Sequence, residues 1–160
     1  HIETKDLAVE EIDQAIKADR LRIGIEGTDS ETTLARRRIG QQRLRGIVLF
    51  NYSSTCALCD VNEPSLLEAS HIVGWAENPE SRGILSNLIC LCKFHHTLFD
   101  SGYWSLSDGH SVLRKLPQTS RTIAVLLDIS IQFRKPRDHS PASLFLRAHR
   151  LRYGFDVKRI

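Results

Sequence analysis

The sequence predicts a small α+β fold in which short β elements lie between helices near both ends of the chain. Two patterns support this: apolar residues recur at helical spacing before residue 52 and near the C-terminus, and short apolar runs separated by Pro, Gly, Asn and Ser lie between. The 160 residues, 41% hydrophobic and 26% charged, are typical of one globular domain with a buried core and exclude a disordered or fibrous chain.

Two helices are predicted in the first 52 residues. The first spans residues 4–22 and is amphipathic, with apolar positions at Leu7, Ile12, Ile16 and Leu21. Its apolar stripe packs either on this domain or on a partner. Residues 27–33, GTDSETT, read as a linker and N-cap, and the second helix covers residues 31–52.

The charge of the chain is divided unevenly. Residues 1–31 hold nine acidic and four basic residues, net −5, whereas residues 32–160 hold ten acidic and eighteen basic residues, net +8. A basic body favours a polyanionic partner such as nucleic acid, although a solvated cationic surface has the same composition. The strongest basic element is the polar side of the second helix, with Arg36, Arg37, Arg38, Arg43 and Arg45.

The chain after Tyr52 combines short β elements with helices. Apolar runs at 66–73, 84–91 and 103–106 predict strands, and residues 93–100 lack breakers and predict a short helix. Residues 119–134 are apolar without a clean period, so helix and strand both stay open. The stretch SPASLFLRAHRLRYGF has a Ser-Pro start, ends near Gly154 and predicts a final helix. We divide the chain into an N-terminal helix and linker (1–30), a core with the Arg-rich helix (31–118) and a C-terminal extension of the same domain (119–160).

The sequence gives no sign of a membrane span or a secretion signal. It has no run of about eighteen apolar residues, and its start, HIETKDLAVEEIDQ, has no apolar signal core. It also contains no methionine, so we expect a fragment or a processed chain.

Two short motifs have the spacing of a zinc site. Cys56 and Cys59 form C-A-L-C, and about thirty residues later Cys92 and His95 form C-K-F-H. Tetrahedral zinc is bound by such pairs because each short turn supplies two ligands. A disulfide framework and inert buried thiols are the alternatives. Cys90 alternates with Cys92 on a strand-like run and is interpreted as a small core residue.

A second metal site is suggested by the helix over 93–100. On it, His96 and Asp100 are four residues apart and share a face, while His95 points toward the cysteines. An imidazole and a carboxylate at this spacing suit a divalent ion such as Mg²⁺, Mn²⁺ or Zn²⁺. A surface hydrogen-bonded pair is the alternative.

Upstream, the strand-like segment LLEASHIVGW carries Glu68 and His71. The set His71, Asn87 and His96, with the two predicted zinc-binding pairs around it, resembles the signature of the HNH nuclease family. The ββα-metal motif of that family is a β-hairpin followed by a helix. The similar stretches are ASHIVGW, SNLICLC, CKFHH and LFDSG, and RRRIGQQRLRGIVLFNYSSTCALC resembles the helix that precedes the first Cys in restriction-type members. The likeness covers roughly residues 36–106 and is weaker around residues 143–155.

The resemblance implies a role for each motif residue. His71 would be the general base that activates water, Asn87 would hold the His71 loop, and His96 would bind a catalytic divalent metal, Mg²⁺ or Mn²⁺ with Zn²⁺ or Ni²⁺ as alternatives. Asp100 falls where members often place another ligand. Many members have Asp or His directly before the base, but here that position is Ser70, so either its hydroxyl, a water or Glu68 completes the shell, or the metal binds weakly.

The family also implies a function. We expect an endonuclease that hydrolyses double-stranded DNA and leaves 5′-phosphate and 3′-hydroxyl ends. We expect it to be part of a restriction or defence enzyme in the prokaryotic cytoplasm. Such a motif contacts mainly the DNA backbone, so an attached or separate specificity domain is expected as a partner, and a homodimer is left open. The alternative is a non-catalytic zinc-stabilised nucleic-acid-binding module. Trp75 and Trp104 are interpreted as roofing the core rather than stacking on a base.

Overall fold

The computed structural model describes residues 13–14, 17–18, 31–74, 77, 82–115, 120–128 and 132–156, with side chains of the first long helix described from Arg38 onward. The helices of the described chain are α1 (Glu31–Asn51), α2 (Lys93–Asp100), α3 (Arg121–Asp128) and α4 (Ser143–Tyr153). The strands are β1 (Leu67–His71), β2 (Leu88–Cys92), β3 (Trp104–Leu106) and β4 (Val112–Arg114). The predicted mixed α+β class with helices flanking small strands is confirmed.

The first hairpin is the platform of the fold. Strands β1 and β2 are antiparallel, in a register that runs from Leu67 opposite Cys92 to His71 opposite Leu88. All five residues of β2 are buried, because α1 and α2 both contact the hairpin. Helix α2 begins at the residue directly after β2, so a hairpin and a helix follow one another without a loop.

The core lies between α1, the hairpin and the second half of the chain. Leu44, Val48 and Leu49 of α1 are buried against β2, and burial of each such side chain contributes roughly 1.5–3 kcal/mol. A second antiparallel pair, β3 and β4, packs beside α2. Trp104 on β3 is fully buried and its indole N–H donates to the carbonyl of His95, so Trp104 roofs the core as predicted.

The structure settles most of the predicted elements. The helices over 31–52 and 93–100 are confirmed, and residues 121–128 within the ambiguous segment form helix α3, which buries Leu127. Helix α4 begins at Ser143, two residues after Pro141, and ends at Tyr153; the next residue, Gly154, caps it in a left-handed conformation (φ 71°). The first predicted helix, 4–22, falls largely outside the described residues, as does Trp75. Within the described part of the chain no helix is both long and apolar enough to cross a membrane.

Candidate active site and metal centre

The two cysteine-containing motifs meet beneath the first hairpin. The ligand atoms of Cys56, Cys59, Cys92 and His95 all lie within 4.8 Å of one another. The Sγ atoms of Cys59 and Cys92 are 3.9 Å apart, and His95 Nδ1 lies 3.2 Å from Cys92 Sγ and 3.8 Å from Cys56 Sγ. Ligands at roughly 2.3 Å from a tetrahedral ion are about 3.8 Å apart, so these four side chains can hold one metal ion such as zinc.

The cluster is oriented by backbone groups that the sequence did not indicate. His95 Nε2 lies 3.1 Å from the carbonyl oxygen of Leu126 in α3, which makes Nε2 the protonated nitrogen and leaves Nδ1 as the electron-pair donor toward the cysteines. The backbone N–H groups of Leu58 and Cys92 point at Cys56 Sγ, at 3.5 and 3.2 Å. Hydrogen bonding from Cys92, its thiol first, lowers the pKa of Cys56, whereas burial raises the pKa of Cys59, and the hydrogen bond with Cys56 followed by burial raises the pKa of Cys92 to about 11.

Cys90 differs from the four cluster residues. It is fully buried in the core, and burial raises its pKa to about 12, so it stays a neutral thiol. All four cysteines are free thiols, and the predicted core role of Cys90 agrees with its position.

His71 ends β1 beside two cavities. Its Nε2 lies 2.8 Å from the carbonyl oxygen of Arg82, so in the neutral ring Nε2 carries the proton and Nδ1 the lone pair. Burial lowers the pKa of His71, which keeps the ring neutral at pH 7.

Asn87 fastens the chain that follows His71. Its Oδ1 accepts the N–H of Val73 at 2.9 Å and its Nδ2 donates to the carbonyl of Val73 at 3.3 Å. Its backbone carbonyl accepts the N–H of Ile72 at 2.9 Å. The amide is fully buried, and three bonds hold the two residues directly after His71.

His96 lies on the exposed side of α2 between two carboxylates. Its Nδ1 is 2.5 Å from Glu68 Oε2 on β1, and its Nε2 is 3.1 Å from Asp100 Oδ2 one turn along α2. The hydrogen bond to Asp100, followed by that to Glu68, raises the pKa of His96. Two ligand atoms at right angles around a divalent ion at about 2.1 Å are about 3.0 Å apart, so Nε2 and the Asp100 carboxylate have the spacing of neighbouring ligands.

Ser70 and Glu68 share one face of β1, but their environments differ. Ser70 is fully buried, and its Oγ has no hydrogen-bond partner among the described residues. Glu68 is 40% exposed and reaches His96. Glu68 contacts His96 at Nδ1, whereas Asp100 faces Nε2, so Glu68 hydrogen-bonds the ring and does not take a ligand position beside Nε2.

Two cavities meet at His71. The larger, the Arg45 cavity, has a volume of about 400 Å³ and is bounded by α1 and β1 as well as His96; it is lined by Gln41, Leu44, Arg45, Glu68, Ala69, His71 and His96. The smaller, the Arg152 cavity, has a volume of about 220 Å³; its lining includes His71, Glu77, Asp100, Arg152 and Tyr153. The His96–Asp100 contact spans the junction, since each cavity contains one of the two residues.

The predicted arginine face of α1 is only partly described. The side chains of Arg36 and Arg37 lie outside the described residues, and Arg38 is exposed. Arg43 forms a bidentate ion pair with Asp13 of the N-terminal segment. Arg45 donates through Nη2 to the carbonyls of Pro64 and Leu67, at 2.6 and 3.0 Å, which fixes its guanidinium at the edge of the larger cavity.

A hairpin that leads directly into a helix, with a histidine ending the first strand and another on the helix, defines the ββα-metal class of nuclease folds. Residues 56–107 match the family model described as HNH endonuclease, which confirms the resemblance over that segment. The fold also matches a solved structure described as a modification-dependent TagI restriction endonuclease, with a TM-score of 0.53, 19% identity and coverage of 69% of this chain. The chain spans 37% of that protein, and at this identity the likeness concerns the fold. No curated protein matches the chain.

Several groups at the site were not predicted as functional residues. Gln41 lines the larger cavity, and Arg152 and Tyr153 line the smaller one. Gln41 lies in the stretch RRRIGQQRLRGIVLFNYSSTCALC, which resembles the helix before the first Cys in restriction-type members, so that resemblance was a signal for Gln41. Arg152 and Tyr153 lie about fifty residues beyond Asp100, and no local pattern connects them with it.

Proposed function

We propose that this chain is the nuclease domain of a metal-dependent HNH endonuclease that hydrolyses DNA phosphodiester bonds. The observation that carries the proposal is that His71 and His96 line one cavity, while the buried amide of Asn87 holds the backbone that directly follows His71. A zinc-stabilised module that only binds nucleic acid has no need of a neutral, oriented imidazole beside a second metal-ligand pair. The match of residues 56–107 to HNH endonucleases supports the same reaction.

His71 serves as the general base in this proposal. The carbonyl of Arg82 holds the proton of the neutral ring on Nε2, so Nδ1 takes a proton from water as the water oxygen attacks phosphorus. The bond from phosphorus to the 3′-oxygen breaks, and that oxygen takes a proton from solvent water, while His71 later returns its proton to solvent; the products have 5′-phosphate and 3′-hydroxyl ends. Asn87 keeps His71 in place by fixing the backbone of Ile72 and Val73.

His96 and Asp100 would hold the catalytic divalent ion, with Mg²⁺ or Mn²⁺ as our first candidates. When bound, the ion supplies positive charge to the scissile phosphate and to the leaving oxygen. Glu68 would accept the Nδ1 proton of His96, which leaves Nε2 as the ligand atom; a carboxylate behind a ligand histidine is a common supporting arrangement. The buried Oγ of Ser70, which has no hydrogen-bond partner in the part of the chain that the structure describes, lies on the same strand face as Glu68, and we assign it only a contact through water.

The cluster of Cys56, Cys59, Cys92 and His95 would hold a structural zinc ion, so that the second ion lies on the other face of the same helix. DNA phosphates would approach along α1, where Arg38 is exposed and Arg45 lies at the cavity edge. Restriction or another defence function in the prokaryotic cytoplasm is our proposed role, supported by the fold of the TagI restriction endonuclease. A specificity domain, attached or separate, would select the target.

A plasmid cleavage assay tests the function. Wild-type protein with Mg²⁺ or Mn²⁺ should nick or cut supercoiled DNA, and His71→Ala should lose at least about 10²-fold in rate while its melting temperature and DNA affinity stay unchanged. The control is His139→Asn, an exposed imidazole whose left-handed backbone (φ 50°) asparagine tolerates. Equal rates for wild type and His71→Ala would remove His71 from the mechanism. Binding of DNA without cleavage at any divalent ion would favour the non-catalytic module.

A further inference from the structure

The Arg152 cavity is formed by two distant parts of the chain. His71 and Glu77 come from the hairpin and its connection, while Arg152 and Tyr153 come from the last turn of α4. Its lining shares only His71 with the Arg45 cavity. A strand whose scissile phosphate lies at His71 would therefore enter one cavity and leave through the other.

The position of Arg152 relative to the site is fixed by its neighbour. The hydroxyl of Tyr153 donates to the carbonyl of Asp100, and the ring of Tyr153 packs on Gly102, where an added Cβ would lie 2.3 Å from the ring. The preceding Arg150 is buried and bonded to Asp108 and Asp156. The last turn of α4 is thus attached directly to the end of α2 that carries Asp100.

The guanidinium of Arg152 has a carboxylate partner that a phosphate can replace. It pairs with Glu77, and the side chains are 53% and 43% exposed. Exposed ion pairs contribute little to stability, so a competing anion can displace the Glu77 carboxylate from Arg152. Arginine also matches the geometry of a phosphate through two parallel N–H donors.

We propose that Arg152 binds a backbone phosphate next to the scissile one, on the side of His71 opposite to Arg45, and that Glu77 occupies this phosphate position in the absence of DNA. The inference rests on the nuclease function proposed above and identifies a substrate contact contributed by α4. A purely structural reading is that the Arg152–Glu77 pair ties the hairpin connection to α4. The two readings differ in the expected effect of removing Glu77.

The experiment measures binding of a double-stranded oligonucleotide as a function of NaCl, by fluorescence anisotropy with Mg²⁺ in a His71→Ala background that prevents turnover. Arg152→Gln should weaken binding severalfold and reduce the slope of log K against log[NaCl] by about 1, the share of one phosphate contact, and Arg152→Lys should restore most of the slope. Glu77→Gln should leave binding equal or tighter. The matched control is Arg147→Gln, which removes another exposed, carboxylate-paired arginine of α4 that lines neither cavity and should leave the slope unchanged.

Equal slopes for Arg152→Gln and Arg147→Gln would overturn the proposal, as would a loss of affinity in Glu77→Gln equal to that in Arg152→Gln. Failure of the proposed nuclease function is detected separately, because wild-type protein that binds DNA without cutting it leaves these binding slopes measurable.

Discussion

The adjacent imidazoles of His95 and His96 face different partners. His95 Nδ1 lies 3.2 Å from Cys92 Sγ in the buried cluster, whereas His96 Nδ1 lies 2.5 Å from Glu68 Oε2 beside the cavity. Successive residues of a helix are turned by about 100°, so neighbouring side chains cannot serve one ion. This short helix therefore places a candidate structural metal site and a candidate catalytic site on separate faces.

Cys59→Ser should strongly destabilise the domain, because Cys59 is one of the four side chains that could hold a structural metal ion and binding of such ions is coupled to folding. We expect loss of bound zinc by elemental analysis and a broad or absent thermal transition. Cys90→Ala is the control, since Cys90 is buried but belongs to the core rather than the cluster; it should keep one zinc ion per chain and lose only about 1 kcal/mol. Unchanged stability and zinc content in Cys59→Ser would contradict the four-ligand site.

Glu68→Gln should weaken divalent-ion binding by about 10- to 100-fold, because the carboxylate at Nδ1 sets which nitrogen of His96 carries the proton. Calorimetric titration with Mn²⁺ gives the affinity, and ¹⁵N chemical shifts of His96 in metal-free protein, recorded at a pH above the raised pKa of the ring, give the tautomer of the neutral imidazole. Glu63→Gln changes an exposed carboxylate ahead of the same strand and should alter neither reading. A lower cleavage rate of Glu68→Gln with unchanged Mn²⁺ affinity and an unchanged His96 tautomer would show that Glu68 does not position His96.

His149 should make the fold sensitive to acid. It is buried in α4, stacked on Phe99 at 3.8 Å, with Nε2 3.2 Å from the carbonyl oxygen of Phe99 and Nδ1 2.9 Å from the hydroxyl of Ser105. Burial lowers its pKa to about 4, below the unfolded value of about 6.5, so the unfolded chain takes up the proton first and stability falls as pH drops between these values.

Urea unfolding at pH 7 and pH 5 checks this prediction. The free energy of unfolding of wild type, relative to that of His149→Gln, should decrease by about 2 kcal/mol over this interval. The comparison cancels the effect of other titrating groups, including the cysteine cluster. Parallel pH curves for the two proteins would show that His149 does not contribute.

Gly102→Ala should destabilise the attachment of α4. Gly102 has a φ of +72°, and its added Cβ would meet the ring of Tyr153, so we expect a loss of about 2 kcal/mol or more and a lower cleavage rate as Tyr153 leaves the carbonyl of Asp100. Gly46→Ala is the control, because no heavy atom lies within 4 Å of its added Cβ in the interior of α1; it should gain up to about 1 kcal/mol. Thermal unfolding distinguishes the two substitutions.

Local patterns predicted the parts of the fold that depend on local physics. Three such signals are short-range: the helical spacing of apolar residues in α1, the lack of helix breakers in α2, and the two-residue spacing within the pairs Cys56–Cys59 and Cys92–His95. The segment 119–134 stayed ambiguous because its apolar residues fit the spacing of a helix and that of a strand equally well. In the structure residues 121–128 of this segment are helical, and Leu127 is buried.

Long-range contacts had no such signal. Three sets of hydrogen bonds at the site depend on tertiary packing: His95 with the carbonyl of Leu126, Tyr153 with the carbonyl of Asp100, and Arg45 with the carbonyls of Pro64 and Leu67. Glu68 was weighed as a metal ligand from its position on the strand. Its contact with His96 Nδ1 follows from how β1 and α2 are juxtaposed, which residue spacing alone does not fix.

Placement of both imidazoles on one eight-residue helix has a practical consequence for inhibition by chelators. An ion held by half-buried His96 and exposed Asp100 would be released quickly. An ion in the cysteine cluster, where Cys56, Cys92 and His95 are buried, would be released slowly, and its loss would let the helix unwind. We expect EDTA to inactivate the protein in two kinetic phases, an early one reversed by added Mg²⁺ and a late one that Mg²⁺ alone does not rescue. Brief and prolonged incubations would therefore report on different ions.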